Sequence, residues 1–423
     1  MTRLLASLAA LILLAAPLRA QEFETAARAA WVYDHTTGTT LLAKNADEPL
    51  PPASMSKLMT IYMAFEAVEQ GRLVMDATLP VSEHAMSYGG SSMFLNTLDR
   101  PTVHDLLRGV IVLSGNDATV VLAEALSPDG TEAGFAELMN RKAEELGMTN
   151  SRFENSNGWP AEGHVMSARD LGILAERLIT DFPDLYPIFA EQEFEFDGRV
   201  PSNSQNRNPI LGLGIGADGL KTGHTVEAGY GLVGSAVQGD RRVTFVVMGL
   251  PTEEARRTEG ERLLNWAFRT FEVREVGEAG ERIGEAAVWM GAADRVGLAL
   301  SEALSVLVPA HGGVEAEIVY EGPLAAPVEA GAEVAQLRLR REGLPDMELP
   351  LVAEGAVARG GFGPRMRTTM GVLMARAGLG TGEATVTPAA AEAEPAAAEP
   401  AAENAAGADA PASGDGEPLA DGD

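Results

Sequence analysis

No cysteine occurs among the 423 residues, so disulfides, thiolate nucleophiles and cysteine-ligated metals are excluded, and oxygen, amine and imidazole chemistry remains. Histidine is scarce too. With 6 His and no His-x-x-x-His pair at helical spacing, neither a metal nor another cofactor is expected. Positive charge is also short: 32 Lys and Arg face 61 Asp and Glu, a formal net charge of -29. Nothing here would neutralise a phosphate backbone, which argues against nucleic acid as a partner. Nor is there an uninterrupted apolar run of the ~20 residues that a membrane span needs.

What is present is a hydrophobic share of 46%, ample for real cores, in a chain long enough for two domains plus unstructured sequence. Met1-Thr2-Arg3 is a short positive start, Leu4 to Leu14 is apolar, and Ala16-Pro17-Leu18-Arg19-Ala20 ends in a small residue. That pattern is a secretory signal cleaved after Ala20, which places the working protein in the periplasm or cell envelope.

Ala30 to Lys44 reads as a β-hairpin turning at Gly38. Ser54-Met55-Ser56-Lys57 then opens an apolar helical run from Leu58 to Val68. Residues three apart share a helix face, so a hydroxyl sits beside an amine, a nucleophile next to a base. Alone, the quartet reads first as an N-cap serine with a solvated lysine. The run is apolar on nearly every side, however, and belongs in an interior, where desolvation favours a neutral amine.

Gly89 to Leu95 is a glycine-led loop, and Thr102-Val103-His104-Asp105 resembles a capping box. The helix that follows reaches Ser114-Gly115-Asn116-Asp117, a polar interruption, before helical periodicity resumes. Helices are expected over Thr131 to Leu146 and Ser167 to Ile179, with Phe153 to Pro160 and Asn206-Arg207-Asn208-Pro209 as polar loops. Lys221-Thr222-Gly223-His224-Thr225 precedes a hairpin of Tyr230 to Val237 with Val243 to Leu250, and Glu253 to Thr270 is a closing helix. Beyond about Phe271, short β-like runs punctuated by Gly and Pro predict an all-β sandwich domain over 274–357. In 358–379, Phe362, Met366, Met370, Leu373 and Ala377 recur at helical spacing with Arg365, Arg367 and Arg376 among them. Such a basic amphipathic helix can lie on an anionic bilayer, although packing on the β domain is the alternative. Residues 380–423 are Ala, Pro, Glu, Asp and Gly without a basic residue, a disordered acidic tail.

Ser54-x-x-Lys57, Ser114-Gly115-Asn116 and Lys221-Thr222-Gly223 follow one another about 60 and then about 105 residues apart, in the three-part order of β-lactamases and penicillin-binding proteins. The trio is far more specific than any member. With Gly115 in its middle element, the chain resembles the low-molecular-mass penicillin-binding proteins, and among them the type-5-like serine D-alanyl-D-alanine carboxypeptidases. The resemblance runs from about Ala30 to about Val352. It implies an α/β fold: a β-lactamase/transpeptidase-like catalytic domain over 21–273, with an antiparallel sheet, helices and a helical lobe, followed by the β domain.

The resemblance also implies roles. Ser54 would attack the penultimate carbonyl of a D-Ala-D-Ala stem peptide of peptidoglycan, with neutral Lys57 as base. Ser114 would relay a proton to the leaving D-Ala, and Asn116 would fix Lys57 and the substrate amide. Lys221 and Thr222 would meet the terminal carboxylate and the Ser114 hydroxyl, and Gly223 would sit where a substrate backbone approaches. The oxyanion hole would use the backbone N–H groups of Ser54 and His224, each worth about 3 kcal/mol in the transition state. The His224 side chain reads as a bystander. Arg256 maps to an arginine that holds the carboxylate, although Arg257 beside it leaves the register open and a solvated helix charge is the alternative.

The implied partners are the stem peptide, β-lactam inhibitors and, through 358–379, peripheral contact with the inner membrane. A D,D-endopeptidase shares the same trio. A β-lactamase would add a deacylating Glu, and Glu261-x-x-Leu264-Asn265 has that written form, but it follows Lys221 instead of preceding it. An inactive peptidoglycan-binding protein is the non-enzymatic alternative, against which the complete set of site residues argues.

Overall fold

The computed structural model describes residues 23–363 and residue 366. The expected signal segment at 1–20, the tail at 380–423 and most of the helix expected at 358–379 lie outside the described residues. The first half opens with the hairpin β1 (Ala29–Asp34) and β2 (Thr39–Lys44). A helical lobe follows, made of α1 (Lys57–Glu69), α2 (Glu83–Ser87), α3 (Val103–Ile111), α4 (Asn116–Leu126), α5 (Glu132–Glu145) and α6 (Ala168–Asp181). The chain then returns to the sheet with β3 (Ala217–Thr225), β4 (Gly229–Gln238) and β5 (Arg241–Leu250), and α7 (Glu253–Thr270) closes the region.

All five strands are antiparallel neighbours in the order β2-β1-β5-β4-β3, so the first strand pairs with the last and β3 is an edge. Both faces of this sheet are covered, which explains why β5 reads Val-Thr-Phe-Val-Val-Met with no polar alternation. Trp31, Val233, Val246 and Met248 join the core of the helical lobe, while Val32, Leu232, Phe245 and Val247 pack with Leu263, Leu264 and Ala267 of α7. Each fully buried side chain of this kind stabilises the fold by about 1.5–3 kcal/mol. The helix α1 is buried along almost its whole length, as an all-round apolar helix must be.

Local signals set the helix starts. Thr102 and Asp105 form the reciprocal capping box expected for α3. At α6 the box is half formed: Ser167 accepts from the Asp170 N–H, but the Asp170 carboxylate turns away to accept from the Asn150 N–H and the Ser151 hydroxyl. The interruption before α4 is capped by Gly115, not by Asn116 or Asp117.

The second half is all β, as the recurring turns predict. A six-stranded sheet holds β7 (Arg282–Trp289), β8 (Arg295–Leu300), β10 (Val314–Val319), β11 (Leu324–Ala325), β12 (Glu333–Arg341) and β13 (Met347–Ala353), and a two-stranded sheet pairs β6 (Phe271–Gly277) with β9 (Leu304–Pro309). Val306 and Val308 of the smaller sheet share one core with Leu298, Leu337 and Leu351 of the larger. The β structure starts at Phe271, directly from α7, and not three residues later, because Phe271 is an anchor of the α7 core. Arg241 fastens that junction. Its Nε donates to Asp34 at 2.5 Å and its Nη1 to the Phe271 carbonyl at 2.7 Å.

Candidate active site

The serine of Ser54-x-x-Lys57 lies in a short 3-10 turn, Ala53–Ser56, that leads into α1. Lys57 Nζ lies 2.8 Å from Ser54 Oγ and donates to the Asn157 carbonyl at 2.8 Å. The lysine is 0% exposed, so the solvated-lysine reading fails. Burial, reinforced by the nearby Arg207 charge, lowers its pKa to about 7, while Asp117 and Glu132 pull the other way. About half of the amines are then neutral near pH 7.

A second pair faces the first. Lys221 Nζ donates to Ser114 Oγ at 2.9 Å and, at 3.3 Å, to the Thr222 carbonyl. Burial holds its pKa well below the usual lysine range, and the charges of Lys57, Arg207 and Arg256 act in the same direction. Ser114 carries this role at a backbone φ of 61°, a conformation that disfavours any side chain and that persists here because the flanking helices fix it.

Ser54, Ser114, Thr222, Gly223 and His224 line one cleft of about 350 Å³ together with Ser91, Arg207, Tyr230, Glu253 and Arg256. Arg256, the fourth residue of α7, is 4% exposed, whereas Arg257 is exposed. Of the two arginines, Arg256 is the one that lines the cleft. Its guanidinium lies 5.5 Å from the Tyr230 ring, bonds Glu253 at 2.9 Å and keeps Nε without a partner. His224 is exposed, with its ring stacked on Tyr230 at 3.9 Å. Glu261 is exposed on α7 and does not line the cleft, so the lactamase-like Glu261-x-x-Leu264-Asn265 is a chance match.

Two expectations change. Asn116 does not hold Lys57: its side-chain amide donates to the Gly89 carbonyl at 2.7 Å, and the Asn157 carbonyl takes the lysine instead. The close approach at Gly223 is made by the chain itself. A Cβ there would lie 2.7 Å from the Pro52 carbonyl and 3.1 Å from Met55, so only glycine lets β3 pack on the turn that carries Ser54.

The surrounding loops are tightly bonded. Asp117 accepts from Ser92 Oγ and from the N–H groups of Met93 and Leu95, fixing the 89–95 loop to the start of α4. Glu132 accepts from the N–H and hydroxyl of Ser156 and from Tyr88 and His84. Burial alone would raise its pKa, but these hydrogen bonds hold it below the ordinary value. Gly158, at φ 80°, has no room for a Cβ, which would meet the Ala53 carbonyl at 1.9 Å. The 153–160 loop is thus clamped between Glu132 and the nucleophile turn, with its Asn157 carbonyl aimed at Lys57.

Asn157 and Arg207 are the site members that the sequence reading missed. Asn157 acts through its backbone, which any residue supplies. Arg207, bonded to Ser91 Oγ at the rim, sits in an Asn- and Pro-rich turn where a cation looks solvated.

The cleft thus offers a hydroxyl against a partly neutral amine, a second hydroxyl against a second amine, and two arginines with one orphaned N–H. That set suits attack on a carbonyl that neighbours a carboxylate.

A family model described as D-alanyl-D-alanine carboxypeptidase matches residues 16–252, and one described as penicillin-binding protein 5, C-terminal domain, matches residues 271–359. Among curated relatives, D-alanyl-D-alanine carboxypeptidase DacC of Escherichia coli is 38% identical, over 79% of this chain and 85% of its own length. Among solved structures, penicillin-binding protein 5 of Haemophilus influenzae is 34% identical with a TM-score of 0.65, covering 80% of this chain and 99% of that one. Penicillin-binding protein D2 of Listeria monocytogenes, solved with ampicillin bound, is 33% identical with a TM-score of 0.52, covering 58% of this chain and 99% of that one.

Proposed function

The chain belongs to the D-alanyl-D-alanine carboxypeptidase family, and on that premise we propose that it is a serine hydrolase that removes the terminal D-Ala from peptidoglycan pentapeptides. The observation that carries this reading is the pair of buried lysines, each within 2.9 Å of a serine hydroxyl of the same cleft.

The terminal carboxylate binds between Thr222, Lys221 and Arg256, where its charge is matched and the orphaned Arg256 N–H gains an acceptor. Neutral Lys57 takes the Ser54 proton as Oγ attacks the penultimate carbonyl. The oxyanion is received by the backbone N–H groups of Ser54 and His224. The C–N bond then breaks, and the departing D-Ala nitrogen takes a proton through Ser114, whose hydroxyl Lys221 orients. Water attacks the resulting ester with Lys57 again as base, which returns Ser54 and frees the shortened peptide. Asn157, by accepting from Lys57, keeps the amine aimed at Ser54 in both protonation states.

The same serine is proposed to be acylated by penicillins, in line with the ampicillin-bound relative. Work in the periplasm or envelope, after removal of residues 1–20, follows from the signal-like start and the peptidoglycan substrate. Peripheral membrane contact through 358–379 belongs to the same proposal. No described helix is long and apolar enough to cross a membrane.

The test is to mix the purified protein with a D-Ala-D-Ala peptide, measure free D-Ala, and label with a fluorescent penicillin. D-Ala release with Ser54-dependent labelling is expected. Absence of both signals would overturn the enzyme reading, and fast penicillin hydrolysis without D-Ala release would replace it with a β-lactamase.

A further inference from the structure

The chain contains one Asn-Gly pair, Asn157-Gly158, and it falls on the residue whose backbone carbonyl accepts from Lys57 at 2.8 Å. Asn-Gly is a chemical weak point in any polypeptide. With no Cβ to obstruct it, a glycine nitrogen can close on the carbonyl carbon of the preceding asparagine side chain and displace ammonia. The fold nevertheless requires both residues. Gly158 lies at φ 80° with the Ala53 carbonyl where a Cβ would go. Asn157 caps its own turn, its Oδ1 accepting from the Trp159 N–H at 2.8 Å and its amide donating to Glu132 Oε1 at 3.5 Å.

Asn155 lies against the same bond. Its Oδ1 accepts from the Gly158 N–H at 2.8 Å and from the Asn157 N–H at 3.3 Å, while its amide donates to the Trp159 carbonyl at 2.8 Å. Both asparagines are buried, Asn157 with 1% of its surface exposed. Ring closure needs the Gly158 nitrogen free of its proton and the Asn157 side chain turned towards it, so the hydrogen bonds to Asn155 and Trp159 must open first.

We propose that Asn157-Gly158 is a site of spontaneous covalent modification that disables Lys57, and that Asn155 holds the reaction in check while the loop is closed. The Gly158 nitrogen gives up its proton and bonds to Asn157 Cγ, and the side-chain nitrogen leaves with that proton as ammonia. Water then opens the cyclic imide at either carbonyl, returning hydrogen to the Gly158 nitrogen and leaving a new carboxylate. Opening at Cγ yields aspartate, which sets a second carboxylate against Glu132 where an amide N–H now stands. Opening at the backbone carbonyl yields isoaspartate, whose chain runs through Cβ and Cγ. In that product the carbonyl that accepts from Lys57 has become the free carboxylate. Arg207, Lys221, Asp117 and Glu132 already act on the lysine; a negative charge in hydrogen-bond contact adds to the last two and fixes it as the ammonium, which is no base. This rests on the carboxypeptidase reading, in which neutral Lys57 activates Ser54.

The test incubates the purified protein at mildly alkaline pH, maps its tryptic peptides by mass spectrometry and follows labelling by a fluorescent penicillin. Conversion of the amide at Asn157 to an acid and loss of labelling should advance together in wild type. The modified form, separated on ion exchange by its added charge, should acylate with a pH profile displaced upward, a shift that a general loss of structure would not produce. Asn155→Ala should be modified at Asn157 about fivefold faster, the effect of losing one ordinary hydrogen bond on loop opening. Asn157→Ser cannot form the imide and should keep a constant fraction of its own starting rate. Modification no faster in a folded Asn155→Ala, a modified form that labels as the fresh protein does, or Asn157→Ser decaying as fast as wild type would each overturn the proposal; the last two decide it alone if Asn155→Ala does not fold. Fresh wild type that neither releases D-Ala nor takes penicillin removes the carboxypeptidase reading and the consequence for Lys57 with it.

Discussion

Replacing Lys57 by methionine should abolish acylation and yet make the protein more stable at neutral pH. The lysine is wholly buried and its pKa falls from the ordinary 10.5 to about 7. At about 1.4 kcal/mol per pH unit this represents about 5 kcal/mol of stability forgone. The deficit depends on pH in a definite sense. Above 10.5 the amine is neutral in both states and contributes none of it. From 10.5 down to 7 the unfolded chain gains the proton and the folded chain does not, so folding weakens as pH falls. Below 7 both states are protonated and the full deficit stays.

Methionine fills a similar volume without charge but leaves the Asn157 carbonyl without its donor, a loss of about 1–3 kcal/mol. The variant should therefore exceed wild type by about 2–4 kcal/mol at pH 6 to 7, lose about 1.4 kcal/mol of that lead per pH unit above 7, and fall behind between about pH 8.5 and 10. Urea unfolding of both proteins at pH 6, 7, 8 and 9 measures the difference, in which the titrations not coupled to Lys57 cancel. A difference that stays constant between pH 7 and 9, or a variant less stable at pH 6, would refute the argument that Lys57 is held as a strained, partly neutral base.

Three further outcomes are expected. The rate of penicillin acylation should rise with pH through about 7 and then level off, because only neutral Lys57 accepts the Ser54 proton; stopped-flow labelling from pH 5.5 to 9 reads it. Glu132→Gln removes a negative charge that raises the Lys57 pKa, so this profile should move to lower pH, while weaker acceptance from Ser156 and Tyr88 costs about 1–3 kcal/mol in a urea melt. Gly223→Ala forces a Cβ to within 2.7 Å of the Pro52 carbonyl, displacing the Ser54 turn, and should lower kcat/KM by about a hundredfold; an unchanged D-Ala release rate would mean that the contact relaxes elsewhere.

How far the sequence could be read depends on which physical signal each part carries. The hairpins β1-β2 and β4-β5, and the span of α7, follow from local periodicity and turn residues, and the structure has them where expected. The strand β3 was legible only through its motif. Gly219, Lys221, Gly223 and His224 are poor β formers, and the strand exists because β4 pairs with it along its length. Ser54, Ser114 and Lys221 were named through the three-part motif, and Arg256 through the family resemblance that the motif carries. The partner of Lys57 was misassigned to Asn116 because the true acceptor is a main-chain carbonyl, whose position depends on Glu132 and Gly158 far away in the chain.

The pairing of β1 with β5 has a consequence in time. The two strands are separated by about 200 residues, and a chain growing at ~5–20 residues per second takes roughly 10–40 s to supply the second after the first. Through that interval the β1-β2 hairpin, with Trp31 and Val32 on its two faces, has no neighbour on its inner edge, and its Val32 face waits for α7, which follows β5 in the chain. The sheet, and the cleft along its β3 edge, can be closed only after β5 and α7 have been made. This order of assembly suits a protein kept unfolded until its synthesis is complete and then released to fold as a whole.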